Sequence, residues 1–167
     1  MPASVITVEE LLPLLPARGP LIGLDLGTKT IGIAISDVER RLAQPLLTLA
    51  RRKFTLDAQD LVALAAQNAA LGFVLGLPLD MDGGSGPRAQ STRAFARNFA
   101  RLTELPIALW DERLSTVAVT RDLIEQGASR ARRAQVVDRM AAAFILEGAL
   151  SRLKIMDEAR SRLDARE

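Results

Sequence analysis

The chain has 167 residues, 49% hydrophobic and 25% charged, with no cysteine and no histidine. That length suits one domain with a core of its own. The missing residue types exclude disulfides, thiolate zinc sites and thiol or imidazole catalysis, which leaves carboxylates as the candidates for hard chemistry.

The formal charge is only +2 but is unevenly spread. Residues 88–133 carry nine arginines against five acids, whereas the first fifty residues carry four basic and five acidic groups. No apolar run approaches the roughly 18 residues of a membrane span. Glu9 and Glu10 stand where a signal peptide would be basic. The expectation is a cytoplasmic protein with no membrane partner.

The first twenty residues read as an N-terminal extension packing on the body. Thr7 and Glu10 have capping-box spacing before Leu11 and Leu12, and Pro13, Pro16 and Pro20 keep any helix there short. The body covers 21–150. Leu21–Gly27 and Thr30–Ser36 are apolar runs joined by Gly27-Thr28-Lys29, an antiparallel hairpin pattern. A third strand over Pro45–Leu49 closes a meander. Leu56–Ala70 has helical spacing, with Leu61, Leu64, Ala65 and Asn68 on one side. Phe73–Leu77 is a buried strand stopped by Pro78, and the stretch from Asp80 to Pro87 has loop composition. A helix over Arg88–Leu102, a strand over Pro106–Trp110 and helices over Ser115–Gln126 and Gln135–Leu150 follow, the last two divided by Gly127-Ala128-Ser129-Arg130. Residues 151–167 form a charged tail, a frayed or projecting helix end. The order implies an α/β fold: a mixed five-stranded sheet, a three-strand antiparallel meander plus two parallel strands, with helices on both faces.

Three acidic positions stand out. Asp25 interrupts an apolar strand, where an unpaired charge is costly to bury. A structural Asp bonding to the next turn, a metal ligand and part of a phosphate-binding hairpin all suit that place. Trp110-Asp111-Glu112-Arg113 lies at a strand's C-terminal end, where mixed sheets deliver functional groups. The plainer reading there has Asp111 capping the next helix and Glu112 pairing with Arg113. Asp138 shares a helix face with Ala141, Ala142 and Ile145, a face small enough at its start to approach a sheet; its plainer role is a helix-dipole contact. Taken together, clustered carboxylates holding two Mg²⁺ ions give a phosphodiesterase that needs neither His nor Cys.

The stretch Gly23-Leu24-Asp25-Leu26-Gly27-Thr28-Lys29-Thr30-Ile31-Gly32-Ile33-Ala34-Ile35-Ser36-Asp37 closely resembles the opening of the YqgF-type family, Holliday-junction-resolvase-like proteins of the pre-16S rRNA nuclease class. Gly76-Leu77-Pro78 with Met81-Asp82-Gly83, Trp110 to Thr116, Gly127 to Arg130, and Val137-Asp138 with Ala141 to Ala143 extend the likeness in order from about Leu21 to Leu150. The resemblance implies an RNase H-like fold. It implies a catalytic and metal-binding triad of Asp25, Glu112 and Asp138 with Mg²⁺ or Mn²⁺ as cofactor. It further implies a role in maturing the 5′ end of 16S rRNA, with structured RNA in a pre-ribosomal particle as partner. Two departures are the arginines at 130, 132 and 133, where the family commonly has lysines, and Glu147, where it often has Gln.

Candidate nucleic-acid contacts are Lys29, Arg113, Arg130, Arg132 and Arg133. The Arg93, Arg97 and Arg101 stripe fits a solvated helix face as well as a phosphate track. With five Phe, one Trp and no Tyr, base stacking is poorly supplied, so backbone and shape recognition is expected. Three readings compete with the RNA nuclease: a resolvase acting on branched DNA, an ATP-binding domain with a phosphate hairpin at Gly23–Thr28, and a non-catalytic nucleic-acid or ribosome-binding module.

Overall fold

The computed structural model describes residues 3–114 and 130–167, the side chains of 130–137 excepted. The helix expected over Ser115–Gln126 and the divider at Gly127–Ser129 lie outside the described residues.

A six-stranded mixed sheet organises the chain. Its strands are β1 (Val5–Thr7), β2 (Ile22–Leu26), β3 (Thr30–Ser36), β4 (Ala43–Ala50), β5 (Phe73–Leu77) and β6 (Ile107–Asp111), in the order β1-β6-β5-β2-β3-β4. β2, β3 and β4 form the expected antiparallel meander, and β5 and β6 run parallel to β2. Pro45 is accommodated on β4 because that strand is an edge, where a missing N–H costs no ladder bond. The ladder shifts register between Ile33 and Ala34, opposite Leu47 and Pro45.

The strand count corrects the expected five. Val5–Thr7 pairs in parallel with Ile107–Leu109 as a sixth strand, so the start of the chain is built into the sheet. Three residues are too short to show an alternating pattern. Their place is set by the open edge of β6, whose N–H and C=O groups need partners. The capping box forms as spaced: the Thr7 hydroxyl accepts the Glu10 N–H at 3.3 Å while the Glu10 carboxylate reaches back to the Thr7 N–H, starting α1 (Val8–Leu11).

Two apolar layers flank the sheet. On one face, α2 (Phe54–Gln67) and α3 (Pro87–Ala100) cover Ile22, Leu24, Ile31, Ile33, Phe73, Leu75 and Ile107 with Leu61, Phe95 and Phe99. Phe99 stacks edge-on to Phe73 with centroids 5.0 Å apart. On the other face lies α4 (Arg130–Asp164), which packs Ala141, Ala142, Ile145, Leu146 and Ala149 against Ala34, Val74 and Ala108.

α4 is longer than the expected Gln135–Leu150 helix, and the tail is the projecting helix end that was one of its two expected forms. Its described part starts at Arg130, so that arginine is helical and not on a loop. It also runs unbroken through the charged tail to Asp164, because Leu150 and Leu153 still bury against the lead-in residues Leu12 and Leu15, and Arg152 pairs with Glu9 at 3.3 Å. No helix among the described residues is long and apolar enough to cross a membrane.

Candidate active site

Asp25 is the last residue but one of β2 and is only 1% exposed. Side chains alternate along a strand. Leu24 and Leu26 enter the core under α2 and α3, so Asp25 points with Gly23 to the α4 face, where a Cβ on Gly23 would lie 2.8 Å from the Ala142 carbonyl oxygen. Across the ladder Asp25 is paired with Gly32 of β3. On its other side Leu24 pairs with Leu75, so the next residue of β5, Gly76, flanks Asp25. A glycine therefore borders this buried carboxylate on both sides.

Each glycine admits one of the other two acids. A Cβ on Gly32 would lie 1.9 Å from the Asp138 carbonyl oxygen, which means that the first turns of α4 rest directly on the β3 backbone. The small residues Ala141, Ala142 and Ala149 permit this close approach farther along the helix. The Asp138 carboxylate accepts a hydrogen bond from the Thr30 hydroxyl. A Cβ on Gly76 would lie 2.6 Å from Glu112 Oε1, so the Glu112 side chain folds back over β5 from the 3₁₀ turn Glu112–Leu114. The row Gly32–Asp25–Gly76 thus brings residues 25, 112 and 138 to one corner of the sheet. The three are not drawn into a closed chelate: among the described residues, no group of three or more acidic side chains stands close enough to hold one ion.

Arg113 pairs with Asp111 and not with Glu112, a correction to the plainer sequence reading. Its Nε and Nη2 donate to the two Asp111 oxygens at 3.0 and 2.7 Å, and its own N–H donates to Asp111 Oδ1 at 3.0 Å. This fork holds the Asp111 carboxyl below the usual carboxylate range and pushes the Arg113 guanidinium higher still. It turns the chain sharply after β6 and so sends Glu112 back toward Gly76. Arg113 Nη1 also reaches the Met81 carbonyl at 3.4 Å, tying the loop after β5 to the end of β6.

Lys29 is exposed at the tip of the β2–β3 turn. Arg130, Arg132 and Arg133 lie on the first turns of α4, on the approach to Asp138; their side chains are outside the described residues. Sequence reasoning missed three residues around the site. Thr30 holds Asp138 across 108 positions of chain. Arg51 donates to the Gly27 carbonyl at 2.7 Å, and Arg88 reaches the Leu26 carbonyl at 3.5 Å. No sequence signal marks these contacts, because each joins elements brought together only by the sheet order.

A family model described as "RuvX: Holliday junction resolvase" matches residues 19–152. The chain belongs to the RuvX family. It is 64% identical over 159 residues to "Putative pre-16S rRNA nuclease" of Rhodopseudomonas palustris (strain HaA2), covering 95% of this chain and 99% of that one. It is 63% identical over 156 residues to the protein of the same name from Nitrobacter hamburgensis, covering 93% and 96%. This RuvX chain also shares its fold with T. thermophilus RuvC, solved in complex with a Holliday junction substrate. The TM-score is 0.51 at 9% identity, over 81% of this chain and 96% of that one. The RNase H-like expectation for the fold agrees with that likeness, with one strand added at the edge.

Proposed function

We propose that this chain is a divalent-metal-dependent nuclease that hydrolyses RNA phosphodiesters in the 5′-end maturation of pre-16S rRNA in the cytoplasm. The observation that carries the reading is the Gly32–Asp25–Gly76 row, with Asp138 resting on one glycine and Glu112 on the other. The substrate assignment is supported by relatives that carry the name "Putative pre-16S rRNA nuclease", at 63–64% identity over nearly the full chain.

In this reading Asp25, Glu112 and Asp138 are the metal-binding and catalytic acids. Their donors are all hard oxygens, the set that suits Mg²⁺ or Mn²⁺. A pair of such ions, when bound, supplies charge neutralisation on the phosphate and a more acidic water. Asp25 acts as the fixed member, since it is buried on a central strand, while Glu112 comes from the turn after β6 and Asp138 from within α4. Thr30 restrains Asp138, and the Asp111–Arg113 fork restrains Glu112. Lys29, with Arg130, Arg132 and Arg133 near Asp138, contacts the RNA backbone, in keeping with a chain poor in stacking aromatics.

The test is cleavage of a 5′-extended pre-16S rRNA fragment in Mg²⁺ or Mn²⁺ by wild type and Asp25→Asn. Wild type is expected to cut, and the variant to bind without cutting. A variant that cuts at the wild-type rate removes Asp25 from the mechanism. The family model's description favours a second substrate, so a four-way DNA junction is assayed alongside. A cleaved junction beside intact RNA would reassign the chain as a resolvase.

A further inference from the structure

Two arginines address successive backbone carbonyls immediately after Asp25, and they are held very differently. Arg51, at the end of β4, is half-buried; its Nη1 donates to Gly27 O at 2.7 Å and its guanidinium lies 5.9 Å from the Phe95 ring centroid. Its backbone N–H also donates to Lys29 O at 2.8 Å. Arg51 is a brace for the β2–β3 turn. Arg88, in the first turn of α3, is exposed, and among the described residues its guanidinium makes one hydrogen bond, to Leu26 O at 3.5 Å. That distance is the outer limit of the interaction, and a guanidinium has five N–H donors to offer.

The position of Arg88 is nevertheless well defined. The loop that precedes α3 is closed by Asp80 N–H to Gly84 O at 2.9 Å, Gly83 N–H to Asp80 O at 2.8 Å and Gly84 N–H to Asp82 Oδ1 at 2.8 Å. Gly83 has φ +89°, which only glycine adopts at ease. Arg113 ties the same loop to the end of β6 through Met81 O. An anchored backbone thus carries a weakly engaged cation to the rim of the sheet, where its carbonyl partner is the residue next to Asp25.

We propose that Arg88 forms a phosphate subsite beside the acidic corner, binding the backbone phosphate adjacent to the one attacked and so setting the register of the strand over Asp25. This rests on the nuclease function proposed for the acidic corner and names a substrate contact that it lacks. The 3.5 Å contact to Leu26 O gives way to a charge-assisted, two-pronged bond to phosphate, the geometry for which Arg is suited. Arg51 stays in place and keeps the turn from moving with it.

The experiment measures binding of a fluorescein-labelled RNA stem-loop with a 5′ single-stranded extension, without divalent ions, over a salt series. Wild type, Arg88→Gln and Arg88→Lys are compared, with thermal melting as the folding control and single-turnover cleavage in Mg²⁺ as a second readout. Losing one phosphate contact is expected to reduce the log–log salt slope by about 0.7–0.9 in Arg88→Gln. Arg88→Lys is expected to keep the slope while cutting with less uniform product ends. A wild-type slope in Arg88→Gln, or no RNA binding by wild type, overturns the subsite. If the slope falls but wild type cuts no RNA, the subsite stands and the nuclease reading falls.

Discussion

Alanine at Gly32 tests the central piece of geometry. The new methyl would lie 1.9 Å from the Asp138 carbonyl oxygen, 2.2 Å from its carbonyl carbon and 2.9 Å from the Arg139 nitrogen. Ordinary contact starts near 3.4 Å, so α4 must withdraw by about 1.5 Å at its first turns. All three obstructing atoms belong to helix backbone, and no side-chain rotation relieves the clash. Overpacking costs roughly 1–3 kcal/mol, and a backbone obstruction belongs at the upper end, about 3 kcal/mol. A displacement of order 1 Å at a catalytic group costs about a hundredfold in rate. Gly76→Ala gives the contrasting case. Its methyl meets Ile145 Cδ1 at 2.5 Å and Glu112 Oε1 at 2.6 Å, side-chain atoms and not backbone, of which the Glu112 carboxylate can swing away while the buried Ile145 must repack. It is expected to cost about 1–2 kcal/mol of stability, less than Gly32→Ala, while displacing Glu112 and lowering cleavage by a similar factor of about a hundred. Urea unfolding and single-turnover cleavage of the rRNA fragment measure the two effects separately. If Gly32→Ala is as stable as Gly76→Ala, or if either cuts at the wild-type rate, the close packing of residues 112 and 138 around Asp25 is not what the site depends on.

Thr30→Val keeps a β-branched residue on the strand but removes the donor to Asp138; cleavage should fall about tenfold, the worth of roughly 1.4 kcal/mol, and Thr30→Ser should restore it in the same assay. Arg113→Met removes the group that depresses the Asp111 pKa. A depressed carboxyl stabilises the fold above its unfolded-state value and loses that contribution as pH falls through the folded value, so the stability gap between wild type and variant should be fullest above about pH 5 and close below the ordinary Asp value of about 3.9. A gap that widens on acidification in pH-dependent urea titrations would contradict this. Asp57 is 1% exposed and accepts the Arg52 N–H on both oxygens at 3.1 and 3.3 Å at the start of α2; Asp57→Ala should cost about 1–3 kcal/mol by leaving that N–H without its acceptor, read from the unfolding midpoint.

Much of the framework was legible because it follows from short-range pattern. The β2–β3 hairpin shows as two apolar runs around Gly27-Thr28-Lys29, and the Thr7–Glu10 box forms at its expected spacing. The small face at Ala141 and Ala142 anticipated a helix lying close to a sheet. Where the reading fell short, a long-range partner was usually responsible. Val5–Thr7 is a strand only because β6 leaves an edge open. Arg113 chose Asp111 over Glu112 for a local reason, since a fork between residues two apart satisfies its backbone N–H as well as its guanidinium.

The amino-acid order by itself determined the β2–β3–β4 meander, β5, β6 and the helices α2 and α3, and it made carboxylates the first candidates for hard chemistry, since periodicity and side-chain inventory are local properties. Which acids share one corner of the sheet was decided only by the tertiary structure. Gly32 and Gly76 have no side chain with which to announce a role, and they matter because strand register sets them on either side of Asp25, where the absence of two methyl groups lets a helix backbone and a glutamate approach a buried aspartate.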